Sequence, residues 1–150
     1  MGRISDNLGN KYEIILSDDE NAPVLNLMLK SNGFVEMPVG YARFFVSGDV
    51  LRLQDLRIFD KATFYRRSRW SSLLGCRRVE KNFQRLGLGT QLLGAVFEFA
   101  KARYFKTVFG QIVRRDLEEN PNLPKWYSKH GFAVTETKNG FDIVAQVSPD

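Results

Sequence analysis

Gln84-Arg85-Leu86-Gly87-Leu88-Gly89-Thr90 lies between a strand-like run, residues 72–79, and a helix-like run that begins at Leu88. A backbone that must bend sharply and aim several N–H groups at an anion needs residues without a Cβ, and Gly87 and Gly89 meet that need. Downstream, Leu88, Leu92, Leu93, Val96, Phe97, Ala100 and Tyr104 recur at threes and fours, the spacing of one helical face. The turn therefore opens a helix. The first N–H groups of a helix have no intrahelical acceptor and sit at the positive end of its dipole, so phosphate is welcome there. A plain strand-to-helix connection has the same glycines, and the turn alone leaves both readings open.

On the C-terminal side of this helix, residues 107–113 read as a buried strand and the polar segment 114–120 as a connection. Pro121-Asn122-Leu123-Pro124-Lys125-Trp126-Tyr127 follows, a short helix with proline in its first turn and Gly131 as its stop. Residues 132–137 and 141–147, linked by Lys138-Asn139-Gly140, form a hairpin with an Asn-Gly turn. On the N-terminal side, residues 39–46 and 50–59 flank Ser47-Gly48-Asp49, a second hairpin signal. Residues 11–17 are a strand. Residues 24–30 favour a strand over a helix spanning 18–31, because Pro23 would fall inside that helix, although Ser17 with Glu20 makes a capping box and Asn32-Gly33 a helix stop. Residues 60–70 break the strand pattern. Their Phe64, Tyr65, Arg66, Arg67, Arg69 and Trp70 suit either a solvated loop with its aromatics on the core or a surface for nucleic acid.

A chain of 150 residues with 43% hydrophobic content is long enough to bury one core without staples, so a single domain is expected. No apolar run approaches the roughly 20 residues that span a bilayer, and the N-terminus lacks a signal-peptide segment. A cytoplasmic protein that does not meet a membrane is expected, as a monomer or homodimer. One cysteine, Cys76, excludes an intrachain disulfide and a cysteine metal cluster, and it reads as a small buried side chain. The one histidine, His130, stands before Gly131 without other ligand-type residues near it in sequence, so it reads as a helix-end residue rather than a catalytic base, and no metal site is expected. A formal charge of +5 fits an anionic cofactor, an acidic partner or nucleic acid alike.

Strand, glycine turn, helix, strand, short helix and hairpin, in that order, make a βαβ core among antiparallel strands. At this point the sequence resembles the GNAT superfamily of acyl-CoA-dependent N-acyltransferases. The resemblance rests on Gln84, Gly87 and Gly89 in the pattern Arg/Gln-x-x-Gly-x-Gly/Ala, on Val79 and Phe83 before it, and on Asn120, Trp126-Tyr127 and Gly131-Phe132 after it. It covers residues 72–132. It implies an α/β (α+β) fold with a mixed, mostly antiparallel sheet: a strand-rich acceptor-side half over residues 1–70, an acyl-CoA-binding core over 71–132, and a C-terminal hairpin over 133–150.

The resemblance further implies an N-acetyltransferase that moves an acetyl group from acetyl-CoA to a primary amine by direct attack in a ternary complex. The backbone of Gln84, Arg85, Leu86, Gly87, Leu88, Gly89 and Thr90 would hold the CoA pyrophosphate. The backbone near Arg77, Arg78 and Val79 would pair with the pantetheine arm, splayed from a parallel neighbour at residues 107–113, and an N–H near Val79 would polarise the thioester. Asn120 would hydrogen-bond the pantetheine, and Tyr127 would protonate the departing thiolate. The family's glutamate on the incoming strand has no counterpart, since Leu73 stands there, and Glu80, Asp55, Asp116, Glu118, Glu119 or a water relay remain as bases. A non-catalytic CoA-binding module is the alternative, and Arg66, Arg67 and Arg69 could meet an acidic or nucleic-acid partner.

Overall fold

The computed structural model describes residues 3–17, 22–30, 38–66 and 77–147. Alternation of side chains builds the N-terminal strands. β1 (Arg3–Ser5) pairs antiparallel with β2 (Lys11–Leu16), and β2 with β3 (Val24–Leu29). Tyr12 and Ile14 of β2 and Leu25, Leu27 and Leu29 of β3 are all buried, every second residue on one face. Residues 24–29 are thus strand, as the placement of Pro23 requires.

β4 (Pro38–Ser47) and β5 (Val50–Ile58) turn at Gly48, whose φ is +61°. β6 (Ala62–Arg66) and β7 (Arg77–Lys81) come next, then α1 (Leu88–Ala102), β8 (Thr107–Val113), α2 (Arg114–Glu119), α3 (Leu123–Lys129), β9 (Ala133–Thr137) and β10 (Gly140–Gln146). Eight strands hydrogen-bond in the order β1-β2-β3-β4-β5-β8-β10-β9. The β5–β8 ladder is parallel, whereas β8–β10 and β10–β9 are antiparallel. The fold is α+β with a mostly antiparallel sheet.

The expected pairing of the strand before the glycine turn with residues 107–113 is corrected. β8 takes β5 as its parallel partner, through Val50↔Thr107 to Leu53↔Gly110. β7 instead pairs antiparallel with β6 in a separate ladder from Ala62↔Lys81 to Arg66↔Arg77. Residues 62–66, expected as part of an irregular stretch, are therefore a strand. Their sequence Ala-Thr-Phe-Tyr-Arg is rich in β-formers, and the partner Arg-Arg-Val-Glu-Lys lies close enough in sequence to form the ladder. Cys76 and residues 67–75 lie outside the described residues.

The chain divides into two compact units. One contains β1 to β3, the start of β4, the end of β5, β6, β7 and the first half of α1; its buried residues include Tyr12, Leu27, Val39, Phe83, Leu88 and Leu92. The other contains the remainder of β4, β5 and α1, and everything from β8 onward. In it Phe44 stacks on Phe99 at 6.0 Å between centroids, and Phe97 meets Phe132 at 5.5 Å.

Three details depart from expectation. Tyr104, read as the last residue of the helical face, lies beyond α1 at φ +60° and is 89% exposed. It occupies the left-handed position that closes the helix, with Tyr104 N–H donating to Lys101 O and Phe105 N–H to Ala100 O. In the last hairpin Thr137 pairs with Gly140, so Lys138-Asn139 is the loop and Gly140 belongs to β10. Gly140 is required there because its φ is +145° and a Cβ would collide with the Ile112 carbonyl. Residues 114–119, expected as a connection, form α2, whose start is fixed by Val113 N–H donating to Asp116 Oδ2 at 2.9 Å.

Candidate active site

In the first unit, two left-handed residues two apart bend the chain into α1: Gly87 at φ +78°, as the glycine pattern requires, and Arg85 at φ +62°, which it does not predict. A non-glycine residue in that region costs on the order of 1 kcal/mol and marks a backbone held in place by its surroundings. The holding contacts are visible. Asn82 Oδ1 accepts the Gln84 N–H at 2.8 Å, Gln84 Nε2 donates to Ile58 O at 3.3 Å, and Asn7 N–H donates to Leu86 O at 3.4 Å. Gln91 Nε2 donates to Ser5 O at 2.6 Å.

These bonds restrict what the turn can offer an anion. The Gln84 N–H is already taken, and the Gln91 N–H donates to Gly87 O at 3.3 Å. Leu88 and Gly89 open the helix, where geometry gives their N–H groups no intrahelical acceptor. Gly89 has no left-handed φ, so its place is within the helix's first turn rather than in the bend. Arg85 and Thr90 are exposed beside it, whereas Leu88 is buried and anchors the helix start.

The turn against the glycine bend, residues 6–10, was not singled out in the sequence. Asp6 is 6% exposed and accepts from Leu8 N–H, Asn10 N–H and Asn10 Nδ2, and from the Tyr12 hydroxyl at 2.6 Å. Burial opposes ionisation of Asp6, but these donors together outweigh it and hold the carboxyl below the usual range. Burial, and then the bond to Asp6, push the Tyr12 phenol well up. The Asn7 side chain packs over Gly87, its Oδ1 standing 3.4 Å from where a Cβ would be. An Asp followed by Gly9 and Asn10 was the available signal, an Asx-type turn.

The second unit carries Tyr127. Its main chain is pinned by a Schellman closure of α3: Phe132 N–H donates to Tyr127 O at 3.2 Å and Gly131 N–H to Ser128 O at 3.2 Å, with Gly131 at φ +87°. Its ring is wedged edge-on between Trp126 and Phe132, with centroids at 4.8 and 5.2 Å. The side chain is buried at 7% exposure, and its hydroxyl makes no hydrogen bond among the described residues. Burial first, then the charges of Asp116 and Asp55, push its pKa well above the ordinary phenol value. His130 closes the helix as expected, its Nδ1 2.8 Å from Trp126 O.

Two of the candidate bases, Asp55 and Asp116, thus act electrostatically on Tyr127, while Glu80, Glu118 and Glu119 are not among the charges that shift it. Asp116 is engaged by Val113 N–H. Asp55 lies on β5 just past Leu53↔Gly110, the last pair before β5 and β8 part. Asn120 caps α2, its Oδ1 accepting the Asn122 N–H at 3.2 Å. Arg77, Arg78 and Val79 stand in the β7 ladder opposite Arg66, Tyr65 and Phe64. Arg67 and Arg69 lie outside the described residues. Among the described residues no three His, Cys, Asp or Glu side chains cluster, and no helix is long and apolar enough to cross a membrane.

No protein-family model and no curated protein matches the sequence. Solved structures do match the fold. A ribosomal-protein alanine N-acetyltransferase from Escherichia coli aligns over 89% of this chain and 74% of its own, with TM-score 0.56 and 17% identity. A GNAT family acetyltransferase from Elizabethkingia anophelis with acetyl-CoA bound aligns over 85% and 76%, with TM-score 0.53 and 14% identity. The PaiA N-acetyltransferase of Thermoplasma acidophilum in complex with coenzyme A aligns over 84% and 61%, with TM-score 0.55 and 13% identity. The order and direction of the strands, the helix opened by the glycine turn and these alignments agree: the chain has the GNAT acyl-CoA N-acyltransferase fold.

Proposed function

We propose that the protein transfers an acetyl group from acetyl-CoA to a primary amine, with Tyr127 as acid and Asp55 as base. The observation that carries this reading is the buried Tyr127, pinned by its backbone and wedged between Trp126 and Phe132, on which the charges of Asp116 and then Asp55 act. Two of the similar structures are complexes with CoA or acetyl-CoA, which supports acyl-CoA as the donor here. The turn from Arg85 to Thr90 would hold its pyrophosphate, with the Leu88 and Gly89 N–H groups as donors. The pantetheine arm would pair with the β5 backbone just beyond Leu53, where the parallel ladder with β8 has its last pair.

The chemistry balances on these residues. Asp55 takes a proton from the amine, whose nitrogen lone pair forms the new bond to the acyl carbon as the carbon–sulfur bond breaks. Tyr127 donates its hydroxyl proton to the departing sulfur. The two transfers assist each other. The Asp55 charge is one of the causes that hold the Tyr127 pKa up, so protonating Asp55 removes it and makes the phenol a better donor. A thiol-release screen with acetyl-CoA against amine classes, including protein and tRNA pools, tests the reading. Turnover that drops about a hundredfold or more in Tyr127→Phe is expected. Acetyl-CoA binding without turnover on any amine class would instead make the chain a binding module.

A further inference from the structure

In the second unit β4 from Arg43 onward, β5, β8, β10 and β9 lie side by side, and the alternation of side chains gives them two faces. One face is closed: Phe44, Leu51, Leu53, Val108, Ile143 and Ala145 are buried on it, and Phe99 of α1 stacks on Phe44. The other face is open, with every described residue on it exposed or half-buried.

An apolar stripe crosses the open face. Val144 pairs with Phe109 on one side and with Ala133 on the other. Phe109 pairs with Arg52 across the parallel ladder, and the Arg52 guanidinium stands 5.3 Å from the Phe109 ring centroid, so both project from the same face. The two-residue loop Gly48-Asp49 sets Phe45, 48% exposed, opposite Arg52. The stripe therefore runs Phe45, Arg52, Phe109, Val144, Ala133, one residue from each strand, large at one end and small at the other. A polar row flanks it, containing Arg43 of β4 and the paired Gln111, Asp142 and Thr135.

We propose that a second copy of the chain docks on this face, in a two-fold dimer whose axis runs along β8. That operation lays the stripe on itself end for end. Phe45 meets the partner's Ala133, the stem of Arg52 covers the partner's Val144, and the two copies of Phe109 meet at the axis. Arg43 and Arg52 flank the position of the partner's Asp142, so charge is complementary as well as size. Another protein would have to present a stripe that tapers the opposite way; this chain, turned about the axis, presents it. Five strands about 4.8 Å apart and three rows of side chains about 7 Å apart give a flat footprint near roughly 500 Å². Side-chain relief raises it toward the roughly 600 Å² per partner at which specific interfaces begin. The dimer does not rest on the acyltransferase reading, because none of these residues is assigned to it.

Sedimentation equilibrium of the full chain tests this. Twice the chain mass should appear as concentration rises through the micromolar range. Phe45→Glu, which sets a charge against the partner's Ala133, should weaken association at least about tenfold. Ala133→Phe should do the same, because two phenylalanines then compete for the space of one. Phe45→Ala combined with Ala133→Phe exchanges the large and small ends and should return the dissociation constant to within about threefold of the parent. Both positions are exposed, so these changes leave the fold of the single chain intact. A single-chain mass at every concentration overturns the proposal. A dimer that tolerates Phe45→Glu and Ala133→Phe uses another surface and overturns it too, as does an exchange that fails to restore what Ala133→Phe removed.

Discussion

Phe83 donates its backbone N–H to the carbonyl oxygen of Phe59 at 3.1 Å, so the chain returns after residues 60–82 to the point it left. Gln84 adds a second stitch, its Nε2 reaching Ile58 O at 3.3 Å. The glycine turn is thereby tied to the end of β5, the strand that parts from β8, and not only to β7, which precedes it in sequence.

This bond has the form of the i to i+3 bond of a β-turn. Removing residues 61–81 leaves Phe59-Asp60-Asn82-Phe83, a four-residue turn that can keep the same bond and the Asn82 contact to Gln84. The shortened chain should fold cooperatively, with a circular dichroism spectrum that retains the α1 signal and a melting temperature within a few degrees of the parent. Loss of cooperative melting would show that residues 61–81 contribute to the core.

Asp6 should make stability depend on acid. Its carboxyl is held below the usual range in the folded chain, so it contributes fully above the unfolded value of about 4 and loses that contribution as pH falls through the depressed folded value. Asp6→Asn should cost about 2 kcal/mol in urea unfolding at pH 7, because Tyr12 and Asn10 lose a charged acceptor. The gap between parent and variant should close in strong acid. A gap independent of pH would contradict the assignment.

Two substitutions at positive φ should have opposite signs. Tyr104→Gly relieves a left-handed tyrosine that is 89% exposed, and should stabilise the chain by about 1 kcal/mol. Gly140→Ala drives a Cβ into the Ile112 carbonyl at φ +145°, and should cost at least about 3 kcal/mol. Chemical denaturation of both variants checks the pair.

Asp55, as the proposed base, should matter to turnover and not to donor binding. Asp55→Asn should lower kcat about a hundredfold, with acetyl-CoA affinity unchanged. An unaltered kcat would exclude Asp55.

Much of this was legible in the sequence because local chemistry dictated it. Alternating apolar residues gave β2 and β3, Gly48 and Gly131 marked real turns, and the apolar face of α1 holds from Leu88 to Ala100. Strand partners were less legible. β7 leads into the turn in sequence, yet the parallel neighbour of β8 is β5, a choice made by long-range hydrogen bonding that no local pattern encodes. The left-handed Arg85 was hidden for a related reason, since contacts from Asn7, Asn82 and Ile58 impose what the residue itself disfavours. Tyr127 was legible as a motif residue. Asp55 and Asp116 could be listed with Glu80, Glu118 and Glu119 as candidates, and their charges reach Tyr127 only through the fold.

Calorimetric titration of the full chain with acetyl-CoA measures the claim on which the functional reading depends. Saturable binding with one site per chain is expected, and weaker binding in Gly87→Ala, where φ +78° and the Asn7 side chain oppose a Cβ while the fold remains intact. No heat of binding and no rise in melting temperature at millimolar acetyl-CoA would contradict it.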